Sequence, residues 1–217
     1  MQRFFDILLS SVAILLFSPI LIFTSIILLF TGENKVIYLQ KRVGYSGKLF
    51  NLIKFATMLE NSPNSGTITF NHDPRILPFG SFLRKSKINE LPQLFNIFLG
   101  DMSVIGPRPL TEQTFSYYSK DVKQLIVTLR PGLSGIGSIF FRNEQSLLNQ
   151  GDYLKVYKTI IAPYKGKLEA WYSKNNNLLN YFKLIFATVI IIFSPKTDAL
   201  SFLFKNLPAK PSNLKLN

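Results

Sequence analysis

Residues 7–30 contain no charged side chain. A helix of those 24 residues would be about 36 Å long at roughly 1.5 Å per residue. A bilayer core needs only about 20 residues. A secretory leader would want a basic start, a shorter apolar core and a small-residue cleavage site. Only Arg3 precedes the run, Asp6 offsets it, and residues 23–30 provide no such site. The segment is therefore expected to stay as an anchor spanning residues 1–31. Pro19, preceded by Ser18, sits near its middle. Proline removes a backbone donor and kinks a helix, and serine can satisfy a freed backbone group locally. Two forms follow: a kinked spanning helix, or a re-entrant hairpin that enters and leaves one leaflet.

Charge supports a lipid setting. Lys plus Arg number 25 and Asp plus Glu 12 in 217 residues, for a net charge of +13. Yet the mean hydropathy is +0.19, the hydrophobic share 47% and the charged share 17%. That combination excludes a disordered chain. It also points away from nucleic acid, the other common meaning of basic excess, and towards anionic lipid or phosphorylated substrates. The flank after the apolar run carries Lys35, Lys41, Arg42, Lys48 and Lys54, so the body is expected on the cytoplasmic side. No cysteine is present, which removes disulfides, thiolate zinc sites and a cysteine nucleophile. The single histidine, His72, excludes a multi-His metal site.

Residues 36–39 and 50–55 read as strands about a turn at Val43-Gly44-Tyr45-Ser46-Gly47. Residues 61–66 read as a loop. Helices are expected over 79–83 and 90–99, the latter with Pro92 in its first turn and Gly100 as its stop. A single polar helix is expected over 111–129. Residues 184–193 are too short to span a bilayer. With Trp171, Tyr172, Tyr181, Phe182 and Lys183 before them, they suit an interfacial helix or a core helix. Residues 200–204 and a Lys-bearing tail could also touch lipid. The economical partition is an anchor (1–31), one cytoplasmic domain (32–195) and a tail (196–217). The fold class is α/β with interfacial amphipathic helices.

With neither Cys nor a His cluster, chemistry rests on carboxylates and cations. Glu90 follows Arg84, Lys85 and Lys87; such a carboxylate is held ionised and suits a nucleophile, a base or a Mg²⁺ ligand. It would equally suit a helix first turn as a plain charge. Arg108, between Pro107 and Pro109, is restrained as bidentate phosphate binding requires, or is an ordinary turn arginine. Arg130 and Arg142 are further loop arginines, and Lys54, Arg75 and Arg84 add cations. Fixed cations with Mg²⁺ fit a diphosphate substrate. The absence of a Walker loop and of Gly-x-Gly-x-x-Gly disfavours a kinase or dinucleotide enzyme.

In order and spacing, several stretches together are specific: Phe5-Asp6, Ser18-Pro19, Gln40-Lys41-Arg42-Val43-Gly44, Lys54-Phe55-Ala56-Thr57-Met58, Asp73-Pro74-Arg75-Ile76, Leu83-Arg84-Lys85, Asn89-Glu90-Leu91-Pro92-Gln93-Leu94, Gly106-Pro107-Arg108-Pro109 and Arg130-Pro131-Gly132-Leu133-Ser134-Gly135. On these residues the chain resembles the bacterial sugar transferases, the monotopic phosphoglycosyl transferases. The resemblance implies transfer of a sugar-1-phosphate from a UDP-sugar to polyprenyl (undecaprenyl) phosphate, releasing UMP, with Mg²⁺ as cofactor. It implies a bacterial inner-membrane site with the catalytic domain cytoplasmic, and a re-entrant helix broken at Ser18-Pro19. Glu90 and Asn89 would be catalytic, with Glu90 also towards the metal. Arg84, Arg108, Arg130, Lys54, Arg75 and Arg142 would bind substrate phosphates. Partners would be the two substrates and membrane lipid, with no nucleic acid. A second copy of the chain or other glycan-assembly enzymes are further candidates.

The departures are informative. The family's nucleophile is an Asp where this chain has Asn89, and a neutral amide has no ionised oxygen to attack with. Glu90 as nucleophile or base, a disabled site, and Asn89 as a substrate-orienting residue all follow from that. A non-catalytic membrane partner in glycan assembly is the alternative function. Ala56 replaces a usual Arg, residues 136–141 replace a Trp-Ala-Gln-Val type run, and Glu169-Ala170-Trp171-Tyr172 stands where Asp-x-Tyr-Tyr is usual. These differences bear on nucleotide and sugar specificity.

Overall fold

A computed structural model describes residues 1–31, 33–59, 73–142, 153–195, 197–211 and 214. The loop expected at 61–66, His72 and Asn143 lie outside them. Helix α1 covers Gln2–Phe30 and is helical on both sides of Pro19. Proline at 19 cannot donate to the Leu15 carbonyl, four residues back. The Ser18 hydroxyl donates there instead, at 2.8 Å, so the freed acceptor is satisfied within the helix.

Helix α1 packs on the body along its whole length. Near its start, Asp6 is 2% exposed. Its Oδ1 accepts from the Ser103 hydroxyl, the Val104 amide and the Tyr181 hydroxyl at 2.8, 2.9 and 2.9 Å. Arg3 donates to the carbonyls of Ile97 and Phe98. Further along, Ala13, Ile14 and Phe17 pack on Leu52, Leu94, Ile97 and Met102. Beyond Pro19, Leu21 and Leu28 join Phe55 and Leu83. A fully buried leucine such as Leu28, 3% exposed, stabilises by about 1.5–3 kcal/mol. The opposite face is bare: Leu8, Val12, Leu15, Leu16, Phe23 and Phe30 are exposed. By length and composition α1 could cross a membrane.

Strands β1 (Ile37–Val43) and β2 (Leu49–Phe55) form an antiparallel hairpin. Both are longer than or shifted from the sequence expectation, because β1 continues through Gln40-Lys41-Arg42, whose polar side chains hide the pattern. Its register pairs Tyr38 with Lys54 and Gln40 with Leu52, so Tyr38, Gln40, Arg42 and Lys54 share one face. Helix α2 is Pro78–Lys85. A 3₁₀ turn, Ile88–Glu90, precedes α3, Gln93–Leu99. The helix expected from residue 90 is thus split, with Glu90 in the turn. Gly100 ends α3 at φ 102°, a conformation natural only to glycine. Asn96 stitches α3 to β2: its Oδ1 accepts from the Ile53 amide and its Nδ2 donates to the Asn51 carbonyl.

Strands β3 (Ser103–Ile105) and β4 (Gly132–Ser134) pair in parallel. They approach so closely that a Cβ on Gly132 would lie 2.1 Å from the Gly106 nitrogen. The expected polar helix over 111–129 is two helices, α4 (Glu112–Ser116) and α5 (Lys120–Ile126). Ser119 divides them, its hydroxyl accepting from the Val122 amide as an N-cap. Helix α6 is Ile136–Phe140. Then come α7 (Tyr153–Val156), a π turn (Tyr157–Ile161), α8 (Ala162–Lys174), α9 (Leu178–Phe193) and α10 (Ala199–Leu203).

The largest core joins Ile136, Ile161, Leu168, Tyr172, Tyr181 and Leu184 with Leu200 and Phe204. Tyr172 and Tyr181, which from sequence suited either an interfacial or a core setting, are fully buried. Helix α9 is amphipathic between core and surface: Tyr181, Leu184 and Ala187 face inwards, while Phe182, Phe186, Val189 and Phe193 are exposed. Its exposed face adjoins that of α1 where Phe5 and Phe182 meet edge to face at 5.0 Å. The fold is a mixed helix and strand architecture with one large apolar side.

Candidate active site

A recess opens between the β1–β2 hairpin, the turn before α3 and the Pro107-Arg108-Pro109 loop. Arg42, Lys54, Glu90, Gln93 and Arg108 line it. Each is placed by a local device. The hairpin register puts Arg42 and Lys54 on one face. Lys87, left-handed at φ 61°, turns the chain after α2 so that Asn89 and Glu90 share one 3₁₀ turn. Two prolines restrict Arg108.

Glu90 is the one acidic side chain among the described residues that line the recess. Burial pushes its carboxyl up, but the combined fields of Lys54, Arg108, Lys87 and Arg84 outweigh that and hold it below its ordinary value. The cations answer in kind. Burial, then repulsion from Arg42, brings Lys54 down to about 7 against the pull of Glu90. Burial, then Arg108, brings Arg42 down to about 10. Burial also lowers Arg84, opposed by Glu90 and Asp73. Four cations around one carboxylate leave a surplus of positive charge, which an anion of two or more charges would neutralise.

The expected residues divide accordingly. Lys54, Glu90 and Arg108 line the recess, and Arg84 borders it through its interaction with Glu90. Asn89 is buried, its Oδ1 has no hydrogen-bond partner, and it is not among the residues lining the recess. Arg75 grips Asp73: Nε and Nη2 donate to the two carboxylate oxygens. That hydrogen bonding holds Asp73 below its ordinary value, against burial. Arg130 is exposed, donates through Nε to the Gly100 carbonyl at 2.8 Å and lies 5.6 Å over the Tyr45 ring. Its described contacts cap α3 and do not line the recess. Arg142 donates to the Pro195 carbonyl, at the far end of α6. Ser18 and Pro19 lie within α1.

Arg42 and Gln93 were not singled out from sequence as site residues. Arg42 donates to the Pro109 carbonyl at 3.1 Å and to Gln40 Oε1 at 2.6 Å. It braces the Pro-Arg-Pro loop while lining the recess, and its alternation with Lys54 across the hairpin was the available signal. A second, mainly apolar recess shares Arg108 and is bounded by Val43, Gly44, Phe115 and Ile126.

Comparison with known proteins gives this geometry a context. The model of the bacterial sugar transferase family matches residues 1–195. An uncharacterized sugar transferase of Haemophilus influenzae is 32% identical over 211 residues, 89% of this chain and 41% of that protein. The exopolysaccharide production protein ExoY of Rhizobium meliloti is 37% identical over 161 residues, 67% of this chain and 71% of that protein. The undecaprenyl-phosphate galactose phosphotransferase of Salmonella typhimurium is 32% identical over 209 residues, 88% of this chain and 40% of that protein. The chain thus spans about two fifths of the Haemophilus and Salmonella relatives. A family match covering all but the last 22 residues, since 217 − 195 = 22, places the cationic recess within the matched region: the chain belongs to the bacterial sugar transferases.

Proposed function

We propose that this chain transfers a sugar-1-phosphate from a UDP-sugar to polyprenyl phosphate and releases UMP. The observation that carries this reading is Glu90, held ionised inside a recess whose other charged walls are cations. Arg108, Arg42 and Lys54 would hold the donor diphosphate, and their charge would stabilise what builds up on the phosphoryl oxygens. Overall, a new bond forms between a lipid-phosphate oxygen and the β-phosphorus. The bond from that phosphorus to the bridging oxygen breaks, and UMP leaves with the bridging oxygen. Glu90 would either take the phosphosugar first, as a nucleophile, or act as base for direct attack by the lipid phosphate.

Mg²⁺ fits as a cation that arrives with the diphosphate. No cluster of three His, Cys, Asp or Glu gathers among the described residues. The one carboxylate of the recess, Glu90, resembles the sparse protein donor sets that Mg²⁺ uses next to phosphate. Glu90 would hold it, and it would neutralise diphosphate charge.

The bare faces of α1 and α9 support membrane association. A helix packed on one body both before and after Pro19 favours the re-entrant form over the spanning one, at the cytoplasmic leaflet of a bacterial inner membrane. Asn89 motivates a second reading, an impaired member that binds nucleotide without turning it over.

The test is UMP release by detergent- or nanodisc-held protein given undecaprenyl phosphate, Mg²⁺ and a panel of UDP-hexoses and their N-acetyl forms, beside Asn89→Asp. Release by the wild type is the expected result. Release by Asn89→Asp alone would make the impaired reading correct. Silence from both across the panel would overturn the transferase reading.

A further inference from the structure

Pro107 and Pro109 have no backbone N–H. The Arg108 amide is therefore the one backbone donor in the Pro-Arg-Pro triplet. It reaches out of the loop and donates to Glu169 Oε1, from α8, at 3.3 Å. Glu169 is 1% exposed, and its second oxygen has no hydrogen-bond partner. A carboxylate buried with one oxygen unsatisfied is costly, so its retention at this place calls for a role.

Gly137 makes the contact possible. A Cβ there would lie 2.3 Å from Glu169 Oε1 and 2.9 Å from Cδ, well inside contact distance. Glycine within the first turn of the short helix α6 is a weak helix former, and the room it leaves is filled by the end of the Glu169 side chain. Lys165, one turn earlier on α8, lies on the same side and is 2% exposed. Its charge, like the Arg108 amide, partly offsets the burial that pushes Glu169 up to about 7.

We infer that Glu169, seated in the space left by Gly137, is a positioning residue that fixes the backbone of Arg108 and so aims its guanidinium into the recess beside Glu90 and Lys54. The inference rests on the phosphate-binding reading of that recess. It holds that the hydrogen bond matters more than the charge. A glutamine, whose carbonyl oxygen can still accept, keeps the function. An alanine does not. An aspartate, one methylene shorter, loses reach.

Two measurements on the full chain in nanodiscs test it. Hydrogen exchange of the peptide containing residues 107–109 reads the Arg108 amide directly. It should speed at least about tenfold in Glu169→Ala, Glu169→Asp and Gly137→Ala, and stay near wild type in Glu169→Gln. UDP affinity, by calorimetry, should weaken on the order of tenfold in the first three variants and little in Glu169→Gln, the scale of losing one charge-assisted contact. The shorter side chain in Glu169→Asp retracts from an added methyl at position 137. The Gly137→Ala, Glu169→Asp double variant should therefore bind UDP as Glu169→Asp does, with no further loss. Unchanged exchange in Glu169→Ala would overturn the contact. Faster exchange with unchanged UDP affinity would overturn the positioning role, as would additive losses in the double variant. A wild type that binds no UDP would overturn the phosphate-binding reading itself, and the exchange data would show whether the Glu169 contact stands without it.

Discussion

Glu90 and Glu169 meet the same arginine at its two ends. Glu90 faces the guanidinium of Arg108 in a cationic recess; Glu169 holds the backbone amide from within the core. Burial acts on both in the same direction, yet one carboxyl is held below its ordinary value and the other is pushed up to about 7. The difference lies in the neighbours. Around Glu90 stand Lys54, Arg108, Lys87 and Arg84; around Glu169 the favourable contributions are the Arg108 amide, Lys165 and the more remote Arg108 charge. Environment, and not residue type, sets the two carboxyls apart.

The largest expected effect breaks the comparison at Glu90. Glu90→Gln should lower UMP release at least about a thousandfold while the protein still floats with liposomes. Comparable turnover in that variant would remove Glu90 from the reaction. Asp6 extends the comparison to a third buried carboxylate, one whose Oδ1 is supplied with three donors. Asp6→Ala should therefore destabilise by about 3 kcal/mol, read as a lower midpoint in denaturant.

At Glu169 the test is a slope. Its proton is bound more tightly folded than unfolded, so stability is lost as pH rises from its ordinary value of 4.5 towards about 7. The loss has an upper bound of about 3 kcal/mol. Glu169→Gln should flatten the fall in melting temperature between pH 5 and 7, and a slope unchanged from wild type would assign it to other groups. The window ends at 7 because Lys54, brought down to about 7 in the folded chain, adds stability as pH rises beyond it. The smallest effect is at the turn into the recess. Lys87→Gly relieves a left-handed backbone and should raise stability by about 1 kcal/mol, while taking one cation from Glu90. No gain in thermal midpoint would mean the turn is not strained.

The parts of the molecule that were legible in the sequence are those set by local pattern. The charge-free run of α1, the Gly100 stop and the cations preceding Glu90 all act over a few residues. The paired strands β3 and β4 have only three residues each, too few for an alternation to register. They are held by glycine contacts that bring distant segments together. The division of α4 from α5 depended on Ser119 acting as a cap, a signal present in the sequence, as was the Phe115-Ser116-Tyr117-Tyr118 run of weak helix formers before it. Arg84, Lys85 and Lys87 marked Glu90 as a candidate but left it equally suited to a plain helix first turn. Arg42 needed the hairpin register, and Glu169 needed the packing of α6 on α8. Arg130 and Arg142 were loop arginines in sequence as Arg108 was; in the fold they meet the Gly100 and Pro195 carbonyls, while Arg108 lines the recess.

The Asp6–Tyr181 hydrogen bond joins residues 175 positions apart. During synthesis at about 5–20 residues per second, Asp6 is made roughly 10 to 35 s before its partner. Through that interval α1 has its apolar residues but not Tyr181, and for the first half of it not the β3 segment either. Closing so long a loop comes late in folding. Helix α1 therefore leaves the ribosome well before it can be locked in place, and lipid can receive its apolar side before the protein receives its polar one.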